Sequence, residues 1–89
     1  MIENIKELLQ KEVSAINNIP LDNQYEKAVD LIIGSNKLVT SGMGKAGQIA
    51  LNISTTFSST GTPSVYLHPS EAQHGDLGVL QEGDVLLLL

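Results

Sequence analysis

Two side chains able to hold charge or move a proton stand in glycine-bearing polar segments. Lys45 lies in Ser41-Gly42-Met43-Gly44-Lys45-Ala46-Gly47, and His74 lies in His68-Pro69-Ser70-Glu71-Ala72-Gln73-His74-Gly75-Asp76-Leu77-Gly78. The first segment follows the apolar Leu38-Val39 and leads into the helical run Gln48 to Thr60, so it reads as strand, glycine turn and helix start. A helix entered through glycines leaves backbone N–H groups unpaired at the positive end of its dipole, an arrangement that favours an anion such as phosphate. Gly42 and Gly44 allow a tight turn and close approach to a ligand, and Lys45 adds a mobile positive charge. A phosphate-bearing small molecule above this turn is the expectation.

The totals narrow the field. Eighty-nine residues with 42% apolar content suit one small domain. Ten acids against five lysines and no arginine give a net charge of −5, without the basic patch of a nucleic-acid binder. No cysteine means no disulfide framework and no thiolate metal site, consistent with a cytoplasmic protein. The longest apolar run, Val85 to Leu89, is too short to cross a membrane as a helix. The expected partner is a small molecule rather than nucleic acid or a membrane, and no metal or cofactor is expected.

The elements that must position Lys45 and His74 follow from periodicity. Ile2, Ile5, Leu9, Val13 and Ile16 recur at three- and four-residue steps, the stripe of an amphipathic helix that packs on a partner subunit or on its own core. Asn17-Asn18-Ile19-Pro20 ends it. A second helix starts at Asp22 or Asn23, with Glu26 completing a capping box with Asn23; it is expected to bury Tyr25, Ala28, Val29, Ile32 and Ile33 and to stop at Gly34 as its C′ residue. Lys37 to Ser41 is the first strand. Ala46, Ile49, Ala50, Ile53 and Phe57 form the apolar stripe of the next helix, which Gly61-Thr62-Pro63 closes. Ser64 to Leu67 is the second strand, ended by His68-Pro69. After the histidine loop and the turn Gln81-Glu82-Gly83-Asp84, Val85 to Leu89 reads as a central parallel strand buried on both faces. Strands alternating with helices predict an α/β fold, a three-layer parallel sheet flanked by helices. Residues 1–34 supply two leading helices and residues 37–89 the strand–helix–strand–loop–strand unit; ending on its most apolar strand, the chain reads as the front half of a larger domain.

Gly42-x-Gly44-x-x-Gly47 also satisfies the dinucleotide fingerprint, but the end of the second strand holds His68-Pro69 where a ribose-binding acid belongs. A P-loop needs Ser or Thr after the lysine, and Ala46 stands there. A sugar phosphate therefore fits better than NAD. The bland alternative is that the glycines only allow close helix–strand packing and that Lys45 is solvated.

Three motifs in register carry a family resemblance. Ser41 to Gly47, then Ser59-Thr60-Gly61-Thr62-Pro63, then His68 to Gly78, together closely resemble the arabinose 5-phosphate isomerases, which are sugar isomerase (SIS) domain proteins. The resemblance implies a flavodoxin-like five-stranded parallel sheet, oligomers with active sites where subunits meet, and interconversion of ribulose 5-phosphate and arabinose 5-phosphate on the route to the Kdo sugar of lipopolysaccharide. That chemistry moves a proton between C1 and C2 through an enediol, which needs an acid/base group and a stabiliser of the oxyanion. The family's active-site lysine and histidine correspond to Lys45 and His74, the two residues assigned here as catalytic. The substrate-binding set is Ser41, Gly42, Gly44, Lys45, Glu71 and His74. Lys45 is either a phosphate clamp or a participant in proton transfer; Glu71, three residues before His74, orients it or merely starts a helix; His68 and Asp76 read as structural.

Departures from the family pattern carry expectations of their own. Ala46 and Gln48 replace the usual Ser and His, and the family's second, serine-rich phosphate loop would begin after Leu89. Half a phosphate site and part of a catalytic set are expected, hence no turnover by these 89 residues alone, together with association through the uncovered strand. The rival readings are a non-catalytic sugar-phosphate sensor, which should carry a basic helix-turn-helix where this chain has an acidic helix, and a dinucleotide-binding fragment.

Overall fold

A computed structural model describes residues 1–89. Two leading helices, α1 (Ile2–Asn17) and α2 (Asn23–Ile33), precede β1 (Leu38–Ser41), α3 (Gly44–Ser59), β2 (Ser64–Tyr66), the short α4 (Pro69–Gln73), a 3-10 turn at Asp76–Val79, and β3 (Val85–Leu88). The three strands form one parallel sheet in the order β2-β1-β3. β1 is the centre: Leu38, Val39 and Thr40 are wholly enclosed and Ser41 almost so. The chain leaves β1 through α3 to reach β2 on one side, then crosses back to set β3 on the other. The connections therefore diverge at the carboxyl end of β1, the place where open parallel sheets of this order bind ligands.

α3 covers one face of β1 and β2 with small residues. Gly47, Ala50 and Ser54 are its buried positions, whereas Ile49 is exposed and Ile53 and Phe57 are half-buried. Of the apolar stripe read from the sequence, Ala50 is buried against the sheet, while Ile49, Ile53 and Phe57 line an open groove with Asn52, Thr56 and Thr60. Close approach of the small face is what wins: the Thr40 hydroxyl donates to the Ala50 carbonyl at 2.7 Å, and the Ser64 hydroxyl donates to Ser54 Oγ at 3.0 Å. Larger side chains there would hold the helix too far off for either bond.

Other expectations are corrected. Within residues 1–89 β3, expected to be central and buried on both faces, pairs on one side only, with Leu86 and Leu88 exposed, whereas β1 pairs on both sides. α2 buries none of its expected residues, and Tyr25, Val29 and Ile33 are exposed. Asp22 caps it by accepting from the Gln24 N–H at 2.9 Å, so the Asn23–Glu26 box does not form. Gly34 ends it at φ −80°, a right-handed conformation that needs no glycine. α1 is unburied too, so its stripe does not cover this chain's own core. The radius of gyration is 16.8 Å, against about 12 Å for a compact domain of this length, because the leading helices do not fold onto the sheet.

At its amino end the sheet is pinned. Lys37, just before β1, donates to Asp84, just before β3, at 2.5 Å, and Asp84 also accepts from the Gln81 N–H at 2.8 Å. The Asn36 N–H donates to the Gly83 carbonyl at 2.9 Å alongside. The Lys37 ammonium, then the Gln81 N–H, hold the Asp84 carboxyl below the ordinary carboxylate range.

Candidate active site

The carboxyl end of β1 is built differently. Its backbone is tied on both flanks: the Leu67 N–H donates to Thr40 O at 2.8 Å, and the Leu89 N–H donates to Ser41 O at 2.9 Å. The chain then turns through Gly42 and Met43 into α3. Met43 is the N-cap and offers no side-chain acceptor, and the first bond of the helix runs from the Gly47 N–H to Met43 O. The N–H groups of Gly44, Lys45 and Ala46 are therefore unpaired at a helix start, as an anion site requires.

Two glycines of this turn are dictated by geometry. Gly44 has φ +61°, a left-handed conformation that costs an L-residue about 1–2 kcal/mol. A Cβ at Gly47 would lie 2.6 Å from Gly42 O and 3.0 Å from Tyr66 Oη, so only glycine lets α3 start this close to the end of β1. The packing role assigned to the glycines as the bland alternative is thus real at Gly47. It coexists with the open amides.

Lys45 sits in the first turn of α3, exposed, with neither hydrogen bond nor ion pair. Every feature of the expected clamp is free to meet a ligand. Ser41 differs: it is buried, and its hydroxyl donates to Leu67 O at 2.5 Å. Expected among the binding residues, it ties the ends of β1 and β2 together with its hydroxyl. Gly42 is buried too, and its carbonyl accepts from the Tyr66 hydroxyl at 2.8 Å.

The histidine loop leaves β2, the neighbour of β1, at the same edge of the parallel sheet. His68 caps α4: its Nδ1 accepts from the Ser70 N–H at 3.0 Å, with Pro69 in the first helical position. His74 ends α4, and its Nδ1 lies 2.7 Å from Ser70 O. A carbonyl only accepts, so Nδ1 of His74 is the donor in this bond, and Nε2 is the ring nitrogen left without a partner in the chain. The two histidines thus use Nδ1 in opposite senses around one serine backbone. His68 accepts through Nδ1, whereas exposed His74 donates through Nδ1 and turns an unpartnered Nε2 outward from that bond.

The Glu71 carboxylate is exposed, with no hydrogen bond or ion pair; its backbone carbonyl accepts from the His74 N–H at 3.1 Å, while the His74 ring bonds to the Ser70 carbonyl. Asp76 opens the 3-10 turn without capping it; Gly75 is the cap residue, and no side chain bonds there. No hydrogen bond joins the Lys45 and His74 side chains; what the fold brings together is their two loops, on adjacent strand ends. Sequence reading missed Tyr66 as the residue that reaches the glycine turn, since nothing in a lone tyrosine at a strand end signals its partner.

Comparison with known proteins agrees with this architecture. The SIS domain family model matches residues 31–89. The chain belongs to the SIS domain family. Arabinose 5-phosphate isomerase KpsF of Escherichia coli O6:H1 is 40% identical over 93 residues, covering all of this chain and 28% of that protein. Among solved structures, a protein of Bacteroides fragilis assigned as a phosphosugar isomerase involved in capsule formation is 70% identical with a TM-score of 0.92, covering 99% of this chain and 48% of its own. An Escherichia coli CFT073 protein in complex with arabinose 5-phosphate is 37% identical with a TM-score of 0.82, covering 98% and 48%. This SIS-domain chain therefore spans about half the length of the solved structures it matches and under a third of the curated relative.

Proposed function

We propose that this SIS domain serves an aldose–ketose isomerase that interconverts ribulose 5-phosphate and arabinose 5-phosphate, supplying the Kdo precursor in the cytoplasm. The observation that carries the reading is the pairing of an open helix start bearing a free lysine with an exposed histidine whose Nε2 has no partner in the chain, on adjacent carboxyl ends of one parallel sheet. Phosphate would sit on the N–H groups of Gly44 to Ala46 with Lys45 as its counter-charge. His74 Nε2 would take the proton from the carbon that is C1 in the ketose or C2 in the aldose and return it to the other carbon of the enediol. Similarity to KpsF and to the protein solved with arabinose 5-phosphate supports this substrate class.

The exposed apolar stripe Ile2, Ile5, Leu9, Val13 and Ile16 of α1, unused by this chain's own core, supports a homo-oligomer, and we place the active sites at its subunit interfaces. We expect residues 1–89 to bind arabinose 5-phosphate weakly without turning it over. The test is isomerisation and arabinose 5-phosphate binding by this chain beside Lys45→Ala and His74→Ala. Binding that Lys45→Ala abolishes, without turnover, upholds the reading; turnover lost in both variants would show that these residues suffice. Binding indifferent to Lys45→Ala would overturn the phosphate assignment.

A further inference from the structure

Tyr66 touches both candidate loops, though it belongs to neither. Its hydroxyl donates to the Gly42 carbonyl at 2.8 Å, crossing from the end of β2 to the start of the glycine turn. Gly47 closes the same point, since any Cβ there would meet both Gly42 O and Tyr66 Oη. A trans peptide is planar, with its C=O and N–H on opposite sides, so fixing the Gly42 carbonyl fixes the direction of the Met43 N–H. Met43 is the N-cap of α3, and the unpaired amides of Gly44 to Ala46 follow it. The phenol thus holds the peptide plane from which the anion-facing turn starts.

The ring of the same tyrosine meets His68 edge-on, with centroids 6.3 Å apart and planes at 82°. His68 Nδ1 accepts from the Ser70 N–H, and Ser70 O accepts from His74 Nδ1. A continuous set of contacts runs from Gly42 through Tyr66, His68 and Ser70 to His74. We propose that Tyr66 is a positioning residue that couples the phosphate-facing glycine turn to the proton-transferring histidine, so that ligand at the turn is registered at His74. The role rests on the sugar-phosphate reading above.

The experiment follows backbone amide and imidazole resonances of the isotope-labelled 89-residue chain during titration with arabinose 5-phosphate. The unaltered chain is compared with Tyr66→Phe, which removes only the hydroxyl, Tyr66→Leu, which removes the ring as well, and Lys45→Ala. Tyr66→Phe should displace the free-state Met43 and Gly44 resonances, weaken binding roughly three- to tenfold, the effect of one lost hydrogen bond, and leave the Asn36 and Asp84 amides in place. It should also diminish the response of His74 to saturating ligand, and Tyr66→Leu should remove that response. Unchanged turn resonances and unchanged affinity in Tyr66→Phe would overturn the proposal. So would a loss of dispersion spread across the whole chain, which marks a merely structural tyrosine. If the unaltered chain shows no binding, the sugar-phosphate reading fails and the coupling falls with it, whereas binding lost in Lys45→Ala but intact in Tyr66→Phe sinks the coupling alone.

Discussion

Lys37 and Lys45 flank the same strand, one just before β1 and the other in the first turn of α3 after it. Lys37 is closed in against Asp84, whose side chain is 1% exposed, beside Gln81 and the Asn36–Gly83 bond. Lys45 points no charge at anything in the chain. The amino end of the sheet satisfies its own polar groups and holds β1 and β3 in register. The carboxyl end bonds its Ser41 and Tyr66 hydroxyls and both histidine Nδ1 atoms, but leaves a lysine, one histidine Nε2 and three backbone amides open. A parallel sheet makes this division possible, because all strands deliver their following loops to one edge. Stability and recognition are thus separated along about four residues of β1.

Substitutions at the two ends should break apart accordingly. Asp84→Ala leaves Lys37 and the Gln81 N–H without their acceptor, and we expect it to lower the urea unfolding midpoint more than any other change named here. A midpoint equal to that of Lys45→Ala would erase the distinction between the ends. Gly47→Ala should cost about 1–3 kcal/mol by driving α3 off the glycine turn, and should weaken arabinose 5-phosphate binding as well. It tests whether the open end shares any of the stabilising work, and thermal unfolding beside a ligand titration reads both effects.

Acid should separate the ends without mutation. Asp84 is held below the ordinary carboxylate range in the folded chain by Lys37 and Gln81. Its contribution is complete above its unfolded value, near pH 4, and disappears as the pH falls through the lowered folded value. Unfolding followed between about pH 5 and pH 2 should show a stability loss that Asp84→Asn removes. An identical acid profile in that variant would assign the loss to other carboxylates. Lys45→Ala comes last on the stability scale, at no more than about 0.5 kcal/mol, since its side chain is exposed and unbonded. A larger loss would mean that Lys45 holds the fold together.

The strand–turn–helix around Lys45 and the parallel α/β class were legible because they rest on local signals: an apolar run, glycines at fixed spacing, a change of period from two to 3.6. The structure agrees with the α/β class and with the flavodoxin-like strand order. Burial was read less well. Ile49, Ile53 and Phe57 looked like the buried stripe of α3, yet Gly47, Ala50 and Ser54 face the sheet. Hydrophobicity marks which face a helix would bury somewhere; it does not say which face approaches the nearest strand most closely. Val85 to Leu89 read as a central strand from its composition; among these three strands it pairs only with β1, because pairing depends on which strands lie beside it. The apolar patterns of α1 and α2 announced helices correctly; α2 does not bury its expected residues, and of the two places open to the α1 stripe this chain's own core is excluded.

The candidate site divides in the same way. Which residues carry charge, proton affinity or conformational freedom is a property of residue type and near neighbours, so Lys45, His74, Gly42 and Gly44 could be named from the sequence. Which of them remain free is a matter of three-dimensional partners. Ser41 turned its hydroxyl to Leu67, 26 positions away, and Lys37 found Asp84, 47 positions away. The sequence by itself determined the helix start, the glycine turn and the histidine loop, whose bonds close within a few residues. Only the tertiary structure decided which lysine is paired, where the Ser41 hydroxyl bonds, and that Tyr66 joins the two loops. Those outcomes depend on parallel pairing that brings distant segments to a common edge.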